Sequence, residues 1–519
     1  MALPNINFVK STSGLSGVLP GTDYISGYVH YYPSGRTLPT GFATTDRVKK
    51  IYSVADAVNL GITNGGLGET AAVAQIAVTT AGTVGDSVTI TYTGIEENKL
   101  GTVATLLNAY KLATADVVST TTCAAALASA INANTATHGF SATSSTANLL
   151  ITTKVGEGIF PNTGSPYAYT TTGTFAGTIT QPLGTGSTVL GIASFIDIAY
   201  YHISEYFRMQ PQGILYVGMY VAETTYAYAD VTSVINYAQG EVKQFTVYHN
   251  NTAFVSSQVT ALQAVITSAT SYYKPCIGII SAEISATGSL ASLTDISTLN
   301  SASVSVSIAQ DNYGVGYHLY KATGKSIGSV GTLLGTIAAA AVNQSIAWIS
   351  QFNVSTGAEY DNIGFANGQV YRTLADSLFE SLNSYAYIFL RKVTNITGSY
   401  WSDSKTCVIA TSDYASIENN RTYNKITRNV RASMLPALSS PLKVNADGTL
   451  SAATIGYFSS LANAPLEQME SSSEISDYKI IINPNQNVLS TSTLELTLKN
   501  VPMGVARIIK VNVGFVKSV

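Results

Sequence analysis

The short list of residues that could do chemistry begins at Gly324-Lys325-Ser326, which looks like the end of a phosphate-binding loop. That loop needs a second glycine five residues earlier, where Leu319 stands, and Tyr320 and Lys321 add bulk where backbone would have to wrap a phosphate. Gly314-Val315-Gly316 is not completed as GxGxxG, because His318 and Leu319 follow. No GxSxG elbow nominates a serine nucleophile. The five histidines, His30, His138, His202, His249 and His318, show no i, i+4 pair and no metal-ligand spacing to a Cys or carboxylate. His202 lies in Tyr200-Tyr201-His202-Ile203 and reads as a packed side chain. Carboxylate pairs can converge from anywhere in a chain, but no local pattern nominates one. The reading is therefore of a chain that is not an enzyme and takes no cofactor or metal.

Cys123, Cys276 and Cys407 are far apart and form no CxxC pair, so neither a disulfide framework nor a metal site is expected. Cys276 sits in an apolar run through Ile280 and reads as a small core residue. One charged pattern stands out. Arg421, Lys425, Arg428 and Arg431 recur at 4, 3 and 3 residues, which puts four bases along one stripe of a helix. Either that stripe is solvated or it faces an acidic partner.

The elements that would position these residues fall into compositional zones, with boundaries at 1–66, 67–185, 186–400 and 401–519. The 67–185 block is rich in Thr, Ala, Gly and Ser, with short alternating runs such as Ser87-Val88-Thr89-Ile90-Thr91-Tyr92, and reads as a β-rich domain inserted into a host of different composition. One helix, about 122–134, interrupts it. Beyond it, helical stripes near 190–209, 231–238 and 259–266 alternate with apolar runs at 214–218, 245–248 and 276–280. That alternation predicts an α/β fold with a helix-covered, parallel sheet, α+β overall once the other zones are counted. The final zone is expected to hold helices at 414–435 and 452–469, then alternating strands at 479–482, 494–498 and 509–515.

Charged residues make up only 11% of the 519, against about 25% in ordinary soluble domains. So little charge implies a surface covered by copies of the same chain, or else a Ser/Thr-coated secreted protein. The net charge of −3 predicts no attraction to nucleic acid. No run of about 18 apolar residues predicts a membrane span. Met1 to Phe8 carry neither a basic start nor an apolar core, so synthesis and folding in a cytoplasm are expected.

The C-terminal third resembles phage contractile tail sheath proteins, a group that includes the sheaths of tail-like injection particles. The likeness runs in order through Arg421-Thr422-Tyr423-Asn424-Lys425-Ile426, Asn445 to Ser451, Ile482 to Ser492 and Val501-Pro502-Met503-Gly504-Val505-Ala506-Arg507-Ile508. With the stripe after residue 190 and the segment Ile337 to Trp348 it covers about 350 residues; the 67–185 block departs from it. The resemblance implies a homo-oligomeric helical tube of stacked rings around an inner tail tube protein, completed by baseplate and tail terminator proteins. Contraction would drive the inner tube through a bacterial envelope, and the subunit would belong to a virion tail or tail-like particle assembled in the host cytoplasm. It also implies exchanged terminal strands. Ile6 and Phe8 at one end, and Ile509, Val511, Val513 and Phe515 at the other, alternate as an edge strand would. On the same resemblance the Arg421–Arg431 stripe becomes the candidate inner-tube contact, and the insertion would project outward. The rival readings are a secreted or surface β-rich adhesin, suggested by Thr content and Asn-x-Ser/Thr sites at Asn250, Asn353 and Asn395, and another tail or capsid structural protein.

Overall fold

The structure is a computed structural model that describes residues 22–64, 71–96, 99–154, 156–158, 160–163, 166–181, 195–250, 253–513 and 515. Ile6 and Phe8 lie outside the described residues.

Seven strands make the central sheet: β1 (Ile25–Tyr32), β2 (Val48–Ile51), β3 (Ile214–Val221), β4 (Gln244–Tyr248), β5 (Ile277–Ser281), β6 (Val304–Ser307) and β7 (Tyr387–Ile388). Their order is β7-β6-β5-β4-β1-β3-β2. All neighbours are parallel except β2, which runs antiparallel to β3 at one edge. Helices cover both faces. On one lie α1 (Phe195–Met209) and α4 (Val330–Ala339), packed on Tyr28, Met219, Ile277 and Ile279. On the other lie α2 (Ala229–Tyr237) and α3 (Ser256–Ser271), packed on Val29, Phe245, Val247 and Val304. Adjacent residues of a strand point to opposite faces, so Tyr28 and Val29 of β1 serve different layers. With both faces covered, all eight residues of β1 are buried, and β3 and β5 read as largely apolar runs. This is the α/β architecture the alternating elements predict.

Close approach of α1 and α4 rests on two glycines one turn apart. A Cβ at Gly331 would stand 2.2 Å from the His202 carbonyl oxygen, and one at Gly335 2.7 Å from that of Tyr206. His202 packs here in the core against the Tyr28 and Tyr248 rings, with centroids 5.8 and 5.1 Å away.

Between the core segments lies the β-rich unit. One antiparallel sheet joins Ser141–Ser145, Asn148–Thr152, Val73–Thr80 and Ala176–Thr180; a second joins Lys99–Lys111, Ser87–Glu96 and Tyr167–Thr172. The helix is Thr120–Asn132, started by a Ser119/Thr122 capping box and burying Cys123, Leu127 and Ile131. Its loop reaches the core at the helix Val315–Thr323, where His318 Nε2 lies 2.6 Å from the Gly156 carbonyl oxygen and Phe160 packs on Ala322.

Because neither α1 nor α4 can retreat from the other without opening the sheet face beneath them, Gly331→Ala is expected to destabilise the protein by about 1–3 kcal/mol. Thermal denaturation checks this, with Gly456→Ala, where an added Cβ meets no atom within 4 Å, as the control.

Candidate assembly interface

The C-terminal unit is built on α5 (Ile417–Met434) and α6 (Ala452–Ser471). The turn between them uses Gly448 at φ +85°, with Asp447 accepting from the Thr449 N–H and hydroxyl, and Ser451 caps α6 through the Thr454 N–H. Two strands follow, β8 (Ile475–Ile481) and β9 (Thr497–Pro502), paired antiparallel. β9 replaces the strand expected at 494–498. Ile426, Leu466, Met469 and Ile475 form a small core that holds this hairpin on the two helices. Among the described residues the hairpin has no third strand, so both outer edges present unpaired backbone groups. Lys479 and Lys499 stand directly opposite one another in it, a like-charge pair that opposes the ladder.

From Met503 the chain has no ladder partner among the described residues. Ile509, Val511, Val513 and Phe515 are 79%, 75%, 85% and 105% exposed. An alternating apolar strand with open backbone is the surface that another strand recognises. One side chain ties this arm down. Arg507 Nε donates to Asp403 Oδ1 at 2.9 Å, and its Nη2 donates to Glu418 Oε1 at 2.5 Å and to Ser404 Oγ at 3.0 Å. Glu418 is 2% exposed and also accepts from the Ser404 hydroxyl at 2.6 Å.

The basic stripe of α5 turns inward. Arg421 is buried, and its Nη1 donates to the Ala340 and Ala341 carbonyls at 3.0 and 3.1 Å, satisfying the C-terminal end of α4. Lys425 pairs with Asp23 at 2.7 Å and Glu474 at 2.6 Å. Arg428 reaches the same Asp23 at 3.0 Å, and the Arg431 guanidinium lies over the Tyr273 ring at 4.1 Å. The stripe expected to meet a partner thus fastens α5 to the start of β1. Sequence spacing found the helix and the stripe. It missed Asp23, about 400 positions upstream, where no local pattern marks the residue as a partner. Burial opposes ionisation of Asp23, but Lys425, Arg428 and Arg421 outweigh it and hold the carboxyl below its ordinary range.

Other residues singled out by type are also engaged internally. Lys325 donates to Asn250 Oδ1 at 2.7 Å, and Ser326 donates to the Ile284 and Ala366 carbonyls. All three cysteines are free and buried. A carboxylate pair that no motif indicated does converge: Asp311 accepts from the N–H groups of Tyr313, Gly314 and Tyr360, while Glu359 accepts from that of Val315. Burial and mutual repulsion raise the proton affinity of this pair. With their acceptors taken by backbone donors, the two carboxyls close the loop before Tyr360 onto the helix Val315–Thr323.

Two profiles match nearly the whole chain, the DUF2586 N-terminal domain over residues 55–405 and the DUF2586 C-terminal domain over 413–519. The chain belongs to the DUF2586 family. No curated protein matches this DUF2586 chain. Among solved structures it is similar to the helical sheath of the anti-feeding prophage in its contracted state, at 13% identity and TM-score 0.45, covering 64% of this chain and 85% of that one. It is also similar to the contracted sheath complex of PVC, an extracellular contractile injection system, at 12% identity and TM-score 0.41, covering 62% and 81%. A sheath tail protein from Desulfitobacterium hafniense is similar at 10% identity and TM-score 0.38, over 96% of this chain and 100% of that one.

The two kinds of buried carboxyl predict opposite pH limbs. Asp23, held below its ordinary range, stabilises the fold above that range and loses its contribution as pH falls, so Asp23→Asn should flatten the acid limb of a Tm-against-pH curve. Glu359, held above its ordinary range, contributes stability at low pH that is lost as pH rises through the raised pKa. Glu359→Gln should therefore remove most of the decline in Tm between pH about 5 and about 9.

Proposed function

We propose that this DUF2586 protein is the structural subunit of a contractile tail sheath, polymerising as stacked rings around an inner tube. The observation that carries the reading is the arm beyond Arg507, a run of alternating apolar residues that stand in solvent with their backbone unpaired. An isolated subunit gains nothing from such a strand and risks uncontrolled aggregation. A regular lattice of copies, each adding its strand to a neighbour, removes both the exposed side chains and the open backbone. The sequence likeness of the C-terminal third to tail sheaths, the scarcity of charge and the open edges of the β8–β9 hairpin support the same reading.

On this reading contraction needs no nucleotide. The extended lattice is a metastable arrangement, and rings rotate into a more compact one while exchanged strands keep neighbours linked. An inner tube protein, a baseplate and tail terminator proteins are the further partners, in a phage virion tail or a tail-like particle. The basic stripe of α5 is engaged within the subunit, so no inner-tube contact is assigned to Arg421, Lys425 or Arg428.

Concentrated protein expressed alone is expected to form long hollow striated tubes in negative-stain electron microscopy. Removal of residues 508–519, which leaves the Arg507 contacts in place, is expected to abolish the tubes without lowering the thermal midpoint of the monomer. Monodisperse small particles from the full chain at high concentration would overturn the reading.

A further inference from the structure

The arm has a fixed root. Before it, β9 is paired along β8 from Thr497 to Pro502. After it, Ile508 to Val513 are exposed. Between them Arg507 enters a cage made by Asp403, Ser404 and Glu418. These cage residues come from the loop following the strand Ile396–Trp401 and from the first turn of α5, so the cage is part of the subunit body.

The charges of the cage dictate how it can behave. Lys405 lies 3.5 Å from Asp403 Oδ2 and serves that carboxylate from its far side. Glu418 is buried, its other hydrogen-bond partner is a neutral hydroxyl, and Arg421 acts on it only through space, so without Arg507 it would lose its one hydrogen-bonded cation among the described residues. Burial disfavours a charged guanidinium, but Glu418 and Asp403 outweigh it and raise the Arg507 proton affinity. Glu418 is the buried half of this pair and Arg507 the exposed half, so losing the arginine leaves the costlier half behind. The cage therefore requires its cation in every state of the subunit.

We infer that the Arg507 cage is the pivot of the exchanged arm: it stays occupied by the subunit's own Arg507, and only the chain beyond it passes to a second copy. This rests on the sheath reading above and adds to it where the division between self and neighbour falls. Paired as a strand, the six residues Ile508 to Val513 would span about 20 Å from the cage. A fixed root gives every copy the same launch point and direction, so strands land in one register on their neighbours, and it transmits tension to the body of the subunit through a bidentate, charge-assisted contact.

The test separates assembly from folding. Arg507→Ala is expected to lower the monomer's thermal midpoint, because Glu418 is then buried without its hydrogen-bonded cation. Adding Glu418→Gln removes that charge and is expected to restore the midpoint. Arg507→Ala/Glu418→Gln should nevertheless assemble poorly, with a critical concentration for sedimentable tubes at least about tenfold above the full-length parent. Arg507→Lys, which keeps the charge but loses the fork, should fall between them. Tubes from the double variant at the parent's critical concentration would overturn the pivot and leave Arg507 a purely structural contact. Failure of the parent chain itself to assemble would overturn the sheath reading, and the pivot with it.

Discussion

A buried carboxylate needs either backbone donors or a cation, and in a chain with so few charges the places where a cation serves are the joints of the molecule. Asp23 sits just before β1 and receives Lys425 and Arg428 from α5, so one acid ties the C-terminal unit to the sheet. Glu418, in the first turn of the same helix, receives Arg507 and ties the arm to that unit. Glu205 on α1 is held by Arg208 and by the Thr332 hydroxyl on α4, across the pair of helices whose glycines let them touch. Removing Arg507 or Arg208 would strip a buried glutamate of its paired cation, and removing Asp23 would cut the ion pairs that hold α5 to the start of β1, so these contacts act as fasteners even where their net contribution to stability is small. The apolar layers supply most of the stabilisation; the ion pairs specify which unit goes where.

What remains outside the fasteners is correspondingly plain. The hairpin β8–β9 rests on a core of four buried residues and offers two open edges, and the arm beyond Arg507 offers an apolar strand without a ladder. A two-stranded hairpin is marginal by itself in water. The C-terminal third thus resembles an unfinished sheet, and the proposed lattice is the setting in which copies of the chain complete it for one another.

Much of this was legible in the sequence, and the reasons are local. Alternation of apolar runs with helical stripes between residues 190 and 280 announced the parallel sheet, because strands covered on both faces tend to be apolar on both. The β-rich insertion was visible from Thr at every second place, and α5 and α6 from their periodicity to within about three residues at either end. β1 was not recognised: Ile-Ser-Gly-Tyr-Val-His-Tyr-Tyr has no single-faced period, since both faces are covered and a buried Ser and His lie within it. The stripe on α5 was seen but its direction was not, because the decisive partner, Asp23, is remote in sequence. The same holds for Asp311 with Glu359 and for Arg507 with Asp403 and Glu418, which only the folded chain brings together.

The central claim is that the segment beyond Arg507 is an unpaired strand in the single subunit and a paired one in the assembly. Amide hydrogen exchange read by mass spectrometry over residues 508–515, in monomer and in sedimented tubes, addresses it directly. The account predicts exchange at nearly unprotected rates in the monomer and strong protection in the tubes, alongside peptides of β8 and β9. Equal exchange of this segment in the two states would contradict it, because a lattice that leaves the arm in solvent is not held together by strand exchange.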